Sequence, residues 1–441
     1  MQSTLETLGP LARRLHVAVP LQQIEGEVDK RLARLAKTVK VAGFRPGHVP
    51  LKMVAQQYGP QVRSDVISDA VQESFNEAVR EQNLRVAGYP RIEPATGGTP
   101  AEGSLEFSAV FEIYPDVKVG DVAAATIERP RVEVTDADID RTLDVLRRQR
   151  AIFHPTAEGA RSGDRVKVDF SGTIDGVEFP GGQAKDFAIT LGEGRMLPEF
   201  DAALAGMKAG ESKSFPLTFP ADYHGKEVAG KQAQFSLTVK DVERPSVPPL
   251  DSAFATAFGI KSGKVEDLRA EVASNLKLEL KRKVEATLRE QAMKALRERT
   301  QITLPKSLVE MEASQLMRRM AANLQQQGMK PEDIKLNPDL FTPQAEERVA
   351  LGLIVSELVR SENLTPKAEQ VKAMVQEIAQ TYEQPDAVVR WHYEKPERLA
   401  DFEAAAIEHN VVEWVLAKAQ VRDVPTTFEQ LMGDGKRGAV A

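Results

Sequence analysis

The sequence predicts a multidomain α+β chain: an N-terminal α+β domain, a compact antiparallel β domain with one short helix, and an all-α C-terminal region. Three observations carry that prediction. Two alternating segments, LHVAV (15–19) and SLEFSAVFEI (104–113), bracket helical patterns near the N-terminus. From Asp164 to about Glu243 the apolar period is two, with glycines throughout. After residue 250 the apolar residues recur about every four positions. The chain has 441 residues, too many for one ordinary core.

The first domain spans 1–115. Leu15 to Val19 alternates as a strand, and Pro20 can open a helix that places Ile24, Val28, Leu32 and Leu35 on one face. The turn KVAGFRPGHVP, Lys40 to Pro50, follows. Pro50 can start a short helix, and a longer one is expected from Gln61 to Gln82, with Val62, Val66, Ala70 and Phe75 inward. The strand 104–113 then buries Leu105, Phe107, Ala109, Phe111 and Ile113.

Residues 116–150 read as a connector holding one helix, with Thr135 as N-cap and Asp138 three residues on. The β domain occupies 151–245. RVKVDFSG and QAQFSLTVKDV alternate, and Phe215, Leu217 and Phe219 share a face, with Pro216 indicating an edge. A short helix is expected in LPEFDAALAGM, and ERPSVPPL reads as a stiff linker. Residues 246–441 form the last region, expected to be helical after residue 250 with a frayed tail, MGDGKRGAVA. Leu268, Val272, Leu276, Leu280, Val284, Leu288, Ala292 and Leu296 recur every four residues. An ideal helix turns every 3.6 residues, so this stripe drifts by about 40° per step. One straight seam cannot hold it, and a long arm meeting several neighbours fits better. Further helices are expected at Leu308–Gln327, Pro343–Glu362, Lys367–Tyr382 and Leu399–Ala419. Amphipathic periodicity serves a closed bundle and an open, partner-binding cradle equally well.

Composition removes several classes of function. The formal charge of -7 argues against a general nucleic-acid coat. There is no cysteine, which excludes disulfides, thiol catalysis and thiolate metal sites. The N-terminus lacks an apolar signal core and no apolar run suits a bilayer, so a cytoplasmic, non-membrane protein is expected. The six histidines are scattered, and no HExxH, P-loop or GxSxG occurs. No metal and no cofactor is expected.

The β domain is instead loaded with phenylalanine and glycine. Phe170, Phe179, Phe187 and Phe200 fall close together, with Met196 and Leu197 among glycines and Tyr223, His224 and Phe235 further on. Any one of these could be plain core; together they suggest an apolar binding surface.

GDRVKVDFSGTIDGVEF, LGEGRMLPEFDAALAGMKAGE and FPADYHG, in that order, resemble the FK506-binding (FKBP) type of peptidyl-prolyl isomerase. The PGGQAKD loop, the DYHGKEVAGK insertion and the overall arrangement resemble bacterial trigger factors. The resemblance implies an FKBP-like β domain in an elongated body. It implies a prolyl pocket lined by Phe170, Phe179, Phe187, Met196, Leu197, Phe200, Tyr223, His224 and Phe235. Phe200 stands where small immunophilins usually carry tryptophan, and Pro180 where they carry aspartate. Tyr223 is the preferred donor to a substrate carbonyl, and His224 is assigned no proton transfer.

Eight basic residues, Lys30, Arg31, Arg34, Lys37, Lys40, Arg45, Lys52 and Arg63, occur without an intervening acid. Alone, such a run suits a solvated face or a phosphate contact. Gly43 and Gly47 permit bends, while Pro46 and Pro50 stiffen the projection of Phe44 and Arg45. The resemblance implies that Phe44, Arg45 and Pro46 dock on the ribosome, against a large-subunit protein and rRNA at the tunnel exit. It further implies nascent and unfolded polypeptides as clients, and leaves a homodimer of the free form open. A stand-alone prolyl isomerase and a non-catalytic holdase are the rival readings.

Overall fold

The computed structural model describes residues 2–40, 44, 49–94, 103–194, 196–221, 223, 225, 227–333, 335–380, 382 and 384–433. Strands β1 (Gln2–Thr7) and β2 (Ala12–Pro20) lead into helices α1 (Leu21–Thr38) and α2 (Leu51–Glu81), then β3 (Val86–Pro94) and β4 (Ser104–Ile113). The antiparallel sheet has the order β1-β2-β4-β3. Leu15, Val17 and Val19 of β2 and Phe107, Ala109 and Phe111 of β4 face α1 and α2 in one core.

Two expectations are corrected here. The short helix and the 61–82 helix are a single helix, which runs through Pro60. Pro60 has no N–H to give to the preceding turn. Val54 and Val62, buried on either side of it, hold the helix together across the lost bond. Strands β1 and β3 carry no clear alternation and escaped the pattern. Both are edge strands. In β3 the register shifts between Ala87 and Arg91, around Gly88 at φ 76° and Pro90, a disruption that an edge tolerates.

Next come β5 (Thr126–Arg131) and α3 (Asp136–Gln149). The cap of α3 is a complete capping box. The Thr135 hydroxyl donates to the Asp138 carboxylate at 2.6 Å, and the Thr135 N–H donates to it at 2.9 Å. These bonds, the hydroxyl's foremost, hold the Asp138 carboxyl below the ordinary carboxylate range.

The β domain comprises β6 (Ile152–Pro155), β7 (Arg165–Ile174), β8 (Val177–Thr190), α4 (Pro198–Leu204), β9 (Ser212–Thr218) and β10 (Gln232–Ser246). Its sheet runs β6-β10-β7-β8, with β9 on β10. Pro216 thus lies on an edge strand, as expected. Of the expected linker ERPSVPPL, the first four residues, Glu243 to Ser246, are instead the end of β10, paired with β6. Buried Asp164 accepts from the Arg244 guanidinium at 3.2 Å, fixing the loop before β7 to that end of β10.

The remainder is α5 (Ser252–Ala257), α6 (Val265–Arg299), α7 (Lys306–Gln326), α8 (Thr342–Glu362), α9 (Ala368–Ala379), α10 (Pro385–Tyr393), α11 (Ala400–Lys418), β11 (Gln420–Pro425) and α12 (Phe428–Met432). The expectation of helix throughout fails at β11, which pairs with β5 and sets Asp423 2.9 Å from Arg131. A strand whose partner lies so far away in sequence leaves no local signature. Helix α10 (Pro385–Tyr393) also went unrecognised, because its nine residues make only about two and a half turns, too few to show a stripe.

Contacts divide the chain into two compact units: Met1–Ile127 with Arg289–Val421, and Glu128–Leu288 with Arg422–Ala441. Helix α6 crosses the division. Its Leu268, Val272 and Leu276 pack with Ile139, Leu143 and Phe254 in the second unit. Ala292, Ala295 and Leu296 are buried at its other end. Val284 and Leu288 between them are only half-buried. The drifting stripe therefore serves different neighbours along its length. Among the described residues, no helix is long and apolar enough to cross a membrane.

Candidate active site

Strand β7 places Val166, Val168, Phe170 and Gly172 on one face. On β10, Phe235, Leu237 and Val239 face the same way, and Phe235 lies directly opposite Gly172 and opposite Phe215 of β9. The missing side chain at Gly172 is filled by the Phe235 ring. A Cβ there would lie 2.7 Å from that ring. Gly172→Ala is therefore expected to destabilise the β domain by about 1–3 kcal/mol, the usual cost of overpacking. Denaturant unfolding of the purified protein checks this.

Strand β8 leaves its partner twice. Between the pairs Thr173–Glu178 and Ser171–Gln183 it makes an excursion containing Phe179, Pro180, Gly181 and Gly182. Gly181 adopts φ 80°, and the Phe179 ring folds over Gly182, where a Cβ would meet it at 2.9 Å. Between Phe170–Ala184 and Val168–Phe187 a second bulge inserts Lys185 and Asp186. Each departure delivers one phenylalanine to the inner face.

Helix α4 covers that face. Leu197 is its N-cap, Pro198 occupies its first turn, and Phe200, Ala203 and Leu204 point inward at helical spacing. Phe200 is 1% exposed and stands edge-on to three rings: Phe170 at 5.4 Å, Phe215 at 5.6 Å and Phe235 at 5.8 Å. Phe179 lies 5.9 Å from Phe219 and 6.1 Å from Phe235. Tyr223 stacks obliquely on Phe219 at 4.8 Å, in a loop closed by backbone bonds from Tyr223 and Gly230 to the Pro220 carbonyl. Such ring pairs add about 0.5–1.5 kcal/mol each beyond area burial.

Burial is graded across this set. Phe200 and Phe235 are buried; Phe170, Phe179, Met196, Leu197 and Tyr223 are half-buried against that core; Phe187 is 42% exposed. The structure thus brings together eight of the nine residues expected at the site. His224 lies outside the described residues. Phe215 and Phe219 are further members of the ring cluster that the sequence marked only as a strand face. Phe215 pairs with Phe235 across the strands and Phe219 meets the Phe235 ring at 6.4 Å, both from far along the chain, so no local pattern links them.

In the first unit, Phe44 is exposed, while Arg45 and Pro46 lie outside the described residues. Val49 is buried just before α2, so that side of the turn is anchored in the core. The basic run is partly neutralised in three dimensions. Arg31 meets Asp69 at 2.7 Å, Lys30 meets Glu27 at 3.4 Å and Arg63 meets Glu25 at 3.7 Å.

A half-open antiparallel sheet wrapped over one short helix, with aromatic rings converging on their contact and exposed on one side, is the build of an FKBP-type prolyl isomerase. The family model described as FKBP-type peptidyl-prolyl cis-trans isomerase matches residues 156–240. Models for bacterial trigger factor protein and for its C-terminus match residues 1–146 and 264–417. A trigger factor of Nitrosospira multiformis is 51% identical over 434 residues, covering 98% of this chain and 100% of its own. One of Aromatoleum aromaticum is 50% identical with the same coverage. The chain belongs to the trigger factor family. It is a ribosome-associated chaperone of nascent chains with peptidyl-prolyl isomerase activity.

Proposed function

We propose that the graded ring cluster is the prolyl pocket, with Phe200 and Phe235 as floor, Phe170, Phe179, Met196, Leu197 and Tyr223 as wall, and Phe187 as lip. The observation that carries this reading is the exposure gradient: half-buried apolar side chains surround a buried aromatic floor. An ordinary core closes its last shell with aliphatic or polar cover.

Such a surface can catalyse rotation without an acid, base or nucleophile. A peptide bond resists rotation by about 18–20 kcal/mol because resonance separates charge onto oxygen and nitrogen. Cis and trans X–Pro differ by only about 1 kcal/mol, yet they interchange over about 10–100 s unaided. Water favours the charge-separated planar amide. Rings at the pocket replace that water and destabilise the planar state more than the twisted one. The Tyr223 hydroxyl serves as donor to a substrate carbonyl, and His224 is assigned no proton transfer. Tyr223→Phe is expected to keep KM for a proline tetrapeptide while lowering kcat. An unchanged kcat removes the hydroxyl from the mechanism.

Residues 1–115 form the docking domain, 116–150 a connector, 151–245 the isomerase and 246–441 the client-binding domain. Phe44, Arg45 and Pro46 form the tip that meets a protein and rRNA surface at the tunnel exit. The exposure of Phe44, with Leu51 and Met53 exposed nearby, supports an apolar anchor with basic flanks. Met311, Met320, Leu340, Tyr382, Trp391 and Tyr393 are exposed in the C-terminal region. Flexible methionines and aromatics suit weak contacts with many unfolded segments. Tethering beside the emerging chain raises their effective concentration, so holding needs no ATP. The protein works in the cytoplasm, and its docking face is available for homodimerisation when free of the ribosome.

A further inference from the structure

Strand β7 is flanked by two bulges at the same level. On β8 two residues, Lys185 and Asp186, stand opposite the single residue Asp169, between the pairs Val168–Phe187 and Phe170–Ala184. On β10 the extra residue is Lys240, between the pairs Val239–Val168 and Asp241–Lys167. Asp169 of β7 lies between them. The Asp186 N–H donates to the Asp169 carboxylate at 2.7 Å, with Asp186 held at φ 53°. The Lys240 ammonium meets Asp186 at 2.8 Å and Asp169 at 3.1 Å, and Lys167 adds a contact to Asp186 at 3.5 Å. The inserted residues of two strands are therefore tied to each other and to the strand between them. Phe170 and Phe187, the residues immediately after Asp169 and Asp186, meet edge-on at 5.8 Å.

We propose that Asp169, Asp186 and Lys240 form a clamp that locks the two bulges and so aims Phe187 at the lip of the prolyl pocket. They are positioning residues for isomerisation. A left-handed backbone at an aspartate is uncommon, and it persists only where surroundings specify it. Here the N–H bond to Asp169 and the ion pair to Lys240 specify it. Phe187 is 42% exposed, so the backbone behind it must help to hold its direction. Consistent with the geometry, the Asp169 carboxyl is held below its ordinary range, chiefly by the Asp186 N–H. The Asp186 carboxyl is lowered chiefly by its bond from Lys240.

This inference rests on the pocket reading above, and the test separates the two. Lys240→Met, Lys240→Arg and Phe187→Ala are compared by tetrapeptide kcat and KM, with the Phe187 ring resonances recorded by NMR. Lys240→Met is expected to move those resonances and lower kcat/KM by about tenfold, a loss typical of a sub-ångström misplacement. Lys240→Arg is expected to restore both, and Lys240→Met to cost nothing further when Phe187 is already alanine. Unmoved resonances overturn the clamp, as does an equal loss in the Phe187→Ala background. So does an unchanged kcat/KM for Lys240→Met while Phe187→Ala is impaired. Moved resonances with full activity in both Lys240→Met and Phe187→Ala overturn the lip role of Phe187 and with it the clamp's part in isomerisation, while the pocket itself is judged by Phe200→Ala. Should Lys240→Met fold poorly from carboxylate repulsion, the neutral variant Asp169→Asn/Asp186→Asn/Lys240→Met is judged by the same criteria.

Discussion

Phe200→Ala is expected to abolish most isomerase activity and to cost the β domain about 3–5 kcal/mol. Phe200 is 1% exposed and the shared neighbour of Phe170, Phe215 and Phe235. Removing its ring leaves a void that three rings border, and they can close it only by moving Phe170 and Phe235 from the positions in which they are proposed to line the pocket. Stability and catalysis should therefore fall together. Phe200→Leu restores much of the volume without the flat aromatic face. It is expected to recover most of the stability and less of the activity. Thermal unfolding, tetrapeptide isomerisation and a proline-limited refolding reaction provide the three readouts. Full activity in a folded Phe200→Ala protein would remove this cluster from the reaction.

Alanine at Phe44, Arg45 and Pro46 together is expected to abolish co-sedimentation with ribosomes while leaving tetrapeptide isomerisation intact. The tip belongs to the first compact unit and the ring cluster to the second. Phe44 is exposed beside a turn anchored by buried Val49, so its loss should cost little stability. Binding by the unaltered protein should weaken as salt rises, because the flanking cations act through screened charge. That weakening is expected to be modest, since Lys30, Arg31 and Arg63 already meet acids of the same domain. Ribosome binding that survives the triple substitution would place the anchor elsewhere.

How much of this was legible beforehand differs from element to element. Strands β2, β4, β7 and β10 could be read directly, because each buries one face and alternation follows. The edge strands β1 and β3 and the distant pair β5–β11 could not, since an edge or two-stranded ribbon imposes little burial. Helix α2 was cut at Pro60 because local propensity counts the lost hydrogen bond and not the buried valines on both sides. At the site, the motif order named the ring residues. It did not show that Phe179 and Phe187 arrive by two separate bulges of β8, or that Gly172 and Gly182 are glycine because rings occupy their space.

By itself the sequence determined which chemistry is open to this protein: no cysteine, no nucleophile elbow, and a concentration of aromatic residues suited to an apolar binding surface. It also set the period of each well-buried element, since a residue's neighbours on a helix or strand follow from spacing alone. Only the tertiary structure decided which rings touch, how deeply each is buried, and that Lys30, Arg31 and Arg63 of the basic run meet acids. Those properties depend on residues far apart in the chain, brought together by strand register and by the bulges that shift it.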